Sequence, residues 1–283
     1  MIHFNKIYLL IYSNTIMLFG CQQNITLELP KYEPKVAVFC ILRPDQLPVM
    51  YLNLSKSYYS YGDTSGGYNF IKNAIVVITD QTINISETLH LDSGYVSFPN
   101  YTYSWFYLGK HVPLIGHNYI ANISYNGKMI KAETMVPMPV NVDHFDYAKA
   151  PNSYYYNYHI YFNDLKGQTN YYSVSQFLPA ALGNEIFDDT GFISDVGLDG
   201  KQLEINTNSY DNQGFSYKPP FTHWFAINSA TPEAGKYMID VSTQASSSRD
   251  PLSQPVVIES NVNGGLGIFG AVTPSPEFYI EVK

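Results

Sequence analysis

The 283-residue chain carries a formal net charge of −8, with 45% hydrophobic and only 14% charged residues. Ordinary soluble domains have about 25% charged residues, so polarity here comes from uncharged groups, among them 26 tyrosines. Disorder needs low hydrophobicity with high net charge, coiled coils need Ala, Glu, Lys and Leu in bulk, and nucleic-acid binders need a basic excess; none of these fits, which leaves a β-rich protein of one large or two ordinary domains.

In chain order the first element is a targeting segment. Lys6 precedes an apolar run from Ile7 to Phe19. That run is too short for a bilayer core, which takes about 20 apolar residues, and residues 1–20 therefore read as a signal peptide. Leu18-Phe19-Gly20 directly before Cys21 resembles the lipobox of bacterial lipoproteins. Cys21 is then the expected lipidation site, and 21–34 a lipid-anchored segment. Besides Cys21 only Cys40 remains, in VAVFCIL, where a buried inert thiol is the expected role. No disulfide framework or Cys-based metal site can be built from it.

From residue 35 short alternating runs are punctuated by turn residues, the pattern of a β-sandwich. Strands are predicted over 35–42, 48–54, 74–79, 82–89, 104–108, 117–125 and 128–136. The last two flank Asn126-Gly127, the pair that suits a type I′ hairpin turn because both central residues take φ > 0. Pro137-Met138-Pro139 then interrupts the pattern, since a central strand does not tolerate two prolines. It is read as the boundary between an N-terminal domain, 35–137, and a C-terminal domain, 138–283. Further strands are predicted over 141–147, 154–162, 170–178, 202–207, 223–228, 266–272 and 278–282. Thr231-Pro232-Glu233 places a capping hydroxyl, a proline at the first helical position and an acid at the positive end of the helix dipole, predicting a helix over about 232–245. The fold class is mainly β: two sandwich-like domains of immunoglobulin or fibronectin type with one short helix near the C-terminal end.

Four landmarks stand in order: Cys21 running into Leu27-Glu28-Leu29-Pro30, the Pro-Met-Pro joint, Ile186-Phe187-Asp188-Asp189 leading to Asp199-Gly200-Lys201, and Ser260-Asn261-Val262-Asn263-Gly264-Gly265-Leu266-Gly267-Ile268-Phe269-Gly270. The ordered set resembles a family of Bacteroidota cell-envelope lipoproteins known as domain of unknown function 4249, over nearly the whole mature chain. The resemblance implies a largely β protein held by lipid to the cell outer membrane, with an accessory role beside a TonB-dependent outer-membrane transporter. It supplies no catalytic residue. Gln22, Gln23 and Asn24 are neutral where many surface-exposed lipoproteins carry acidic residues, so the periplasmic and the surface face both stay open.

Templates for chemistry fail. No nucleophile elbow, zinc helix, phosphate loop or kinase signature occurs. His90, His111, His117, His144, His159 and His223 show no metal-ligand spacing. The glycine-rich 264–270 segment lacks the Lys-Ser/Thr of a phosphate cradle and reads as structural, with Leu266, Ile268 and Phe269 entering the core. Asp188, Asp189, Asp195 and Asp199 could gather around Ca²⁺, but the EF-hand spacing is absent and solvated turn residues are the preferred reading. No catalytic residue, metal ligand or cofactor is assigned.

Two aromatic strands are the candidate ligand-binding residues: Tyr154, Tyr156 and Tyr158 in one, and Tyr103, Trp105 and Tyr107 in the other. Rings on one strand face can stack on sugar or line a partner interface, and they can equally pack across strands in a core. The expectation is a non-enzymatic, lipid-anchored binding or accessory module that contacts the membrane through Cys21 and takes no nucleic acid. A glycan-binding lipoprotein is the alternative, and a hydrolase using Asp188, Asp189 and Asp199 the third reading.

Overall fold

The computed structural model describes residues 32–57, 69–96, 102–151, 155–177, 185–187, 191–210, 220–247, 254 and 256–283. Cys21 and the signal segment lie outside them. Period-two patterns decide the strands. In β1 (Val36–Leu42) Val36, Val38, Cys40 and Leu42 are buried while the residues between them are half-buried, as branched and aromatic side chains do on a pleated surface with one face closed. Then come β2 (Val49–Leu54), β3 (Ile75–Asp80), β4 (Ile85–Thr88), β5 (His90–Val96), β6 (Thr102–Leu108), β7 (Asn118–Tyr125) and β8 (Lys128–Met135). Beyond the proline joint lie β9 (Val142–Lys149), β10 (Tyr155–Asn163), β11 (Tyr171–Phe177), β12 (Glu185–Phe187), β13 (Ile193–Ser194), β14 (Gln202–Tyr210) and β15 (Phe221–Ala230). Helix α1 (Pro232–Ser247), β16 (Leu266–Pro274) and β17 (Phe278–Val282) complete the chain.

The fold is mainly β, and the predicted strands and helix are present with ends displaced by a few residues. The hairpin turn is formed as expected: Asn126 and Gly127 have φ of 48° and 74° and join β7 to β8 in register. Three strands escape the sequence pattern. β5, His-Leu-Asp-Ser-Gly-Tyr-Val, has no apolar alternation, and β12 and β13 are too short to show a period.

One ten-stranded sheet follows the path β12-β11-β15-β16-β1-β2-β6-β5, with β13 added on β11 and β17 on β15. At its centre β1 and β16 run parallel, Ala37 opposite Leu266 through Leu42 opposite Ala271. A four-stranded sheet, β4-β3-β7-β8, packs over one part and a three-stranded sheet, β14-β10-β9, over another. The first core joins Cys40, Leu42, Met50 and Phe269 to Val76, Ile78, Ile123 and Ile130. The second joins Tyr172, Phe225, Ile227 and Ile280 to Tyr158, Ile160, Phe162 and Ile205. The proline joint separates the two small sheets, whereas the large sheet takes strands from both sides of it, and Pro34–Lys283 is one compact unit.

Strand alternation puts both small sheets on the same face of the large one. Where they meet the face turns polar: Thr273 donates from Oγ1 to the Pro137 carbonyl at 2.7 Å, and Ser229, opposite Thr273, is buried beside it. Helix α1 covers the other face. Thr231 caps it, its hydroxyl accepting from Ala234 N at 3.4 Å and its carbonyl from Gly235 N at 2.9 Å. The sequence marks Tyr237, Met238 and Val241 as the apolar side, but the fully buried turn is Ala234-Gly235, set so close that a Cβ at Gly235 would overlap Tyr171. Tyr237 instead meets Phe39, rings 6.2 Å apart.

Gly267 lies in the left-handed region at φ 99°, and a Cβ there would overlap the Val38 carbonyl. This glycine lets β16 approach β1, and the glycine-rich segment is a packing device. Ile268 and Phe269 are buried, but Leu266, expected in the core, is 37% exposed because it lies opposite Ala37, on the face of the sheet turned away from the first core. Cys40 is buried, and burial pushes its thiol up, as expected of an inert core cysteine.

Candidate functional site

The aromatic strands divide by what covers them. In β10 Tyr156 and Tyr158 belong to the second core. Tyr158 Oη is hydrogen-bonded to His223 Nδ1 at 2.6 Å and its ring packs against Phe225 with centroids 5.0 Å apart, and Tyr156 meets Phe221 edge-on at 5.3 Å. Tyr107 is buried in the first core, its hydroxyl accepting from Ala74 N at 2.9 Å. Tyr156, Tyr158 and Tyr107 are thus corrected from ligand candidates to core residues, because each faces the interior between the large sheet and a small one, Tyr156 and Tyr158 from the small sheet and Tyr107 from the large; Tyr154 lies outside the described residues. The β6 face runs outward from Tyr107 through Trp105, half-buried under the Lys72 ammonium at 3.8 Å, to Tyr103, which is 50% exposed. Tyr103 and its cross-strand partner Tyr95, 67% exposed, meet at 82°, so they present no common plane.

The acidic residues also rearrange. Asp188 and Asp189 lie outside the described residues, whereas Asp195 and Asp199 come together with Asp164, which the sequence reading missed because it lies on a different loop; one oxygen of each lies within 4.8 Å of the others. Asp164 accepts from Tyr172 Oη at 2.6 Å and Gly200 N at 2.7 Å, Asp195 from Asn170 N at 2.9 Å, and Asp199 from Gly167 N at 2.7 Å. Burial, and then the Asp164 carboxylate beside it, push the Asp195 carboxyl above its ordinary range against the Asn170 hydrogen bonds. Asp195 is buried, not solvated as expected, and Asp164 is buried beside it, whereas Asp199 is exposed as expected of a turn residue. Their hydrogen bonds tie the loop after β10 to the loop before β14. Among the described residues this is the only such group of three.

A third feature lies at one end of the first sandwich. The turn at 81–84 between β3 and β4 and the connection at 109–117 between β6 and β7 flank an open cavity of about 360 Å³. Its walls are Pro48, Ile78, Ile83, Ile85, Val112 and Leu114, and Asp80, Glu87, Lys110 and His111 also line it. Asp80 is fully engaged: its Oδ1 accepts from Thr82 N at 2.9 Å and Ile83 N at 3.3 Å, its Oδ2 from His117 Nδ1 at 2.7 Å, and Tyr119 donates to it as well. Burial alone would raise the Asp80 carboxyl, but these donors outweigh it and hold the group below its ordinary range. Burial and the same carboxylate push the Tyr119 hydroxyl up to about 12. Glu87, its side chain 12% exposed, uses only Oε2, which accepts from Lys110 N at 2.8 Å and His111 Nδ1 at 3.1 Å. Sequence reading passed over this cavity. Its signal was Val112-Pro113-Leu114-Ile115, an apolar run in a connection where turn residues are the rule.

Fold and surfaces together define a β protein with one long sheet backing two sandwiches and loops that carry buried carboxylates. Comparison with protein families places it further: the sequence matches the family described as "Domain of unknown function (DUF4249)" over residues 22–276, and the chain belongs to that family. No curated protein matches it.

Proposed function

We propose that the protein is a lipid-anchored cell-envelope module, non-enzymatic, that serves as a binding or accessory partner of a TonB-dependent outer-membrane transporter. The observation that carries the anchoring is Lys6, the apolar run and Gly20 immediately before Cys21. A diacylglyceryl group adds the second chain that stable anchoring takes. The loop hydrogen bonds of Asp164, Asp195 and Asp199 support a structural use of those carboxylates over a hydrolytic one. The test is Cys21→Ala with membrane fractionation and labelling by a palmitate analogue. The wild type should label and sediment with outer membranes and the variant do neither; a variant that stays membrane-bound ends the anchoring reading. Co-purification from outer membranes then asks for the transporter.

The carbohydrate reading narrows to the end of the β5–β6 pair where Tyr95 faces Tyr103, both exposed. Affinity gels with polysaccharides and a Tyr95→Ala, Tyr103→Ala double variant test it; unretarded wild-type protein ends it.

A further inference from the structure

The cavity at the end of the first sandwich joins three properties seldom found together by chance. Its volume of about 360 Å³ falls at the small end of ligand sites, which run from about 300 to 1,000 Å³. Its apolar wall is left open to solvent: Ile83, Ile85, Val112 and Leu114 are all exposed, although each sits in or beside a loop. A nearly buried carboxylate lines it with one oxygen, Glu87 Oε1, that has no hydrogen-bond partner among the described residues.

Because no group of the chain donates to this oxygen, it is free to accept a hydrogen bond from a bound donor. Asp80 cannot take that role toward a ligand, since four groups of the chain already donate to it. Lys110 also lines the cavity but is exposed. We infer that this cavity binds a small organic ammonium with a compact apolar body. The ammonium donates to Glu87 Oε1, and the apolar body lies on Ile83, Ile85, Val112 and Leu114. The inference is independent of the lipid anchor, because every residue it uses lies between β2 and β7.

The test uses the full chain with ¹³C-labelled Ile, Leu and Val methyl groups, titrated with benzylammonium, benzyl alcohol and benzoate. Benzylammonium should shift the Ile83, Ile85, Val112 and Leu114 methyl signals saturably and bind at least about tenfold more tightly than the alcohol, the factor one charge-assisted hydrogen bond supplies. Benzoate should bind no better than the alcohol. Glu87→Gln, checked by its melting temperature, should abolish the preference for the ammonium. Leu114→Trp, which fills the cavity and leaves Glu87 in place, should abolish binding of all three. Shifts spread over the whole surface, alcohol or benzoate binding as tightly as the ammonium, the preference surviving in Glu87→Gln, or binding surviving in Leu114→Trp would each overturn the assignment. No saturable shift with any probe overturns it as well.

Discussion

The two sandwiches share a sheet and differ in what fills them. The first core is aliphatic, built from Val, Ile, Leu and Ala with Tyr107, Tyr119 and Phe269 as its rings. The second is ring-rich: Tyr156, Tyr158, Phe162, Tyr172, Phe221 and Phe225 interlock edge-on or tilted, with His223 among them. Buried tyrosine is useful only when its hydroxyl finds a partner, and both regions meet that condition differently. In the first, Tyr107 and Tyr119 accept from loop amides and so pin connections to the core. In the second, Tyr172 accepts from the loop amide Leu165 N and donates to the loop carboxylate Asp164, whereas Tyr158 is hydrogen-bonded to His223 inside the core. Tyrosine anchors loops in both halves, and in the second Tyr158 adds a polar contact that stays within the core.

The sharpest way to break the comparison is to ask whether the two cores melt together. Phe225→Ala should cost about 3–5 kcal/mol, the range for removing a buried ring. The chain's two tryptophans, Trp105 on β6 and Trp224 on β15, report the two halves separately once each is replaced by Phe in turn. Because the large sheet runs through both, the two reporters should shift by the same amount in denaturant. A shift confined to Trp224 would show that the halves unfold independently.

A smaller effect is expected at the seam. Gly267→Ala forces a side chain onto the Val38 carbonyl at a left-handed φ, and should cost about 2–4 kcal/mol from strain and overpacking. Gly127→Ala, also left-handed but with open space around it, should cost about 1 kcal/mol. Equal losses would mean that β16 does not depend on close approach to β1. Thermal melts of both variants decide this.

The smallest effect is in pH dependence, where the halves carry opposite signs. The Asp80 carboxyl is held below its ordinary range, so its stabilisation is present above the unfolded carboxylate pKa and is lost as pH falls through the folded value. The Asp195 carboxyl is pushed above its ordinary range, so the unfolded chain releases that proton first and stability falls as pH rises from the unfolded value through the folded one. Asp80→Asn should flatten the acid side of the stability profile, and Asp195→Asn should remove a loss on the side above it. Denaturant midpoints across pH 3–7 measure both. Variants that change the profile in the same direction would refute the assignment.

Much of this architecture is legible in the chain. β1, the Asn126-Gly127 hairpin and the Thr231 cap each follow from local chemistry, and the structure places them where the residues indicate. What escapes is whatever depends on residues far apart. Nothing near Asp195 signals Asp164, and nothing near Glu87 signals that Val112 and Leu114 stand beside it. β5 is a strand only because β6 supplies its ladder.

By itself the sequence determined a mainly β chain, where its strands turn, and that its charge deficit is met by tyrosine and amides, because these are properties of neighbours along the backbone. Only the tertiary structure decided which tyrosines are offered to solvent. Period-two alternation names the two faces of a strand, but not which one a second sheet will cover. Tyr158 and Tyr103 belong to equally aromatic strands, and one is covered by the large sheet while the other reaches past the edge of the first core.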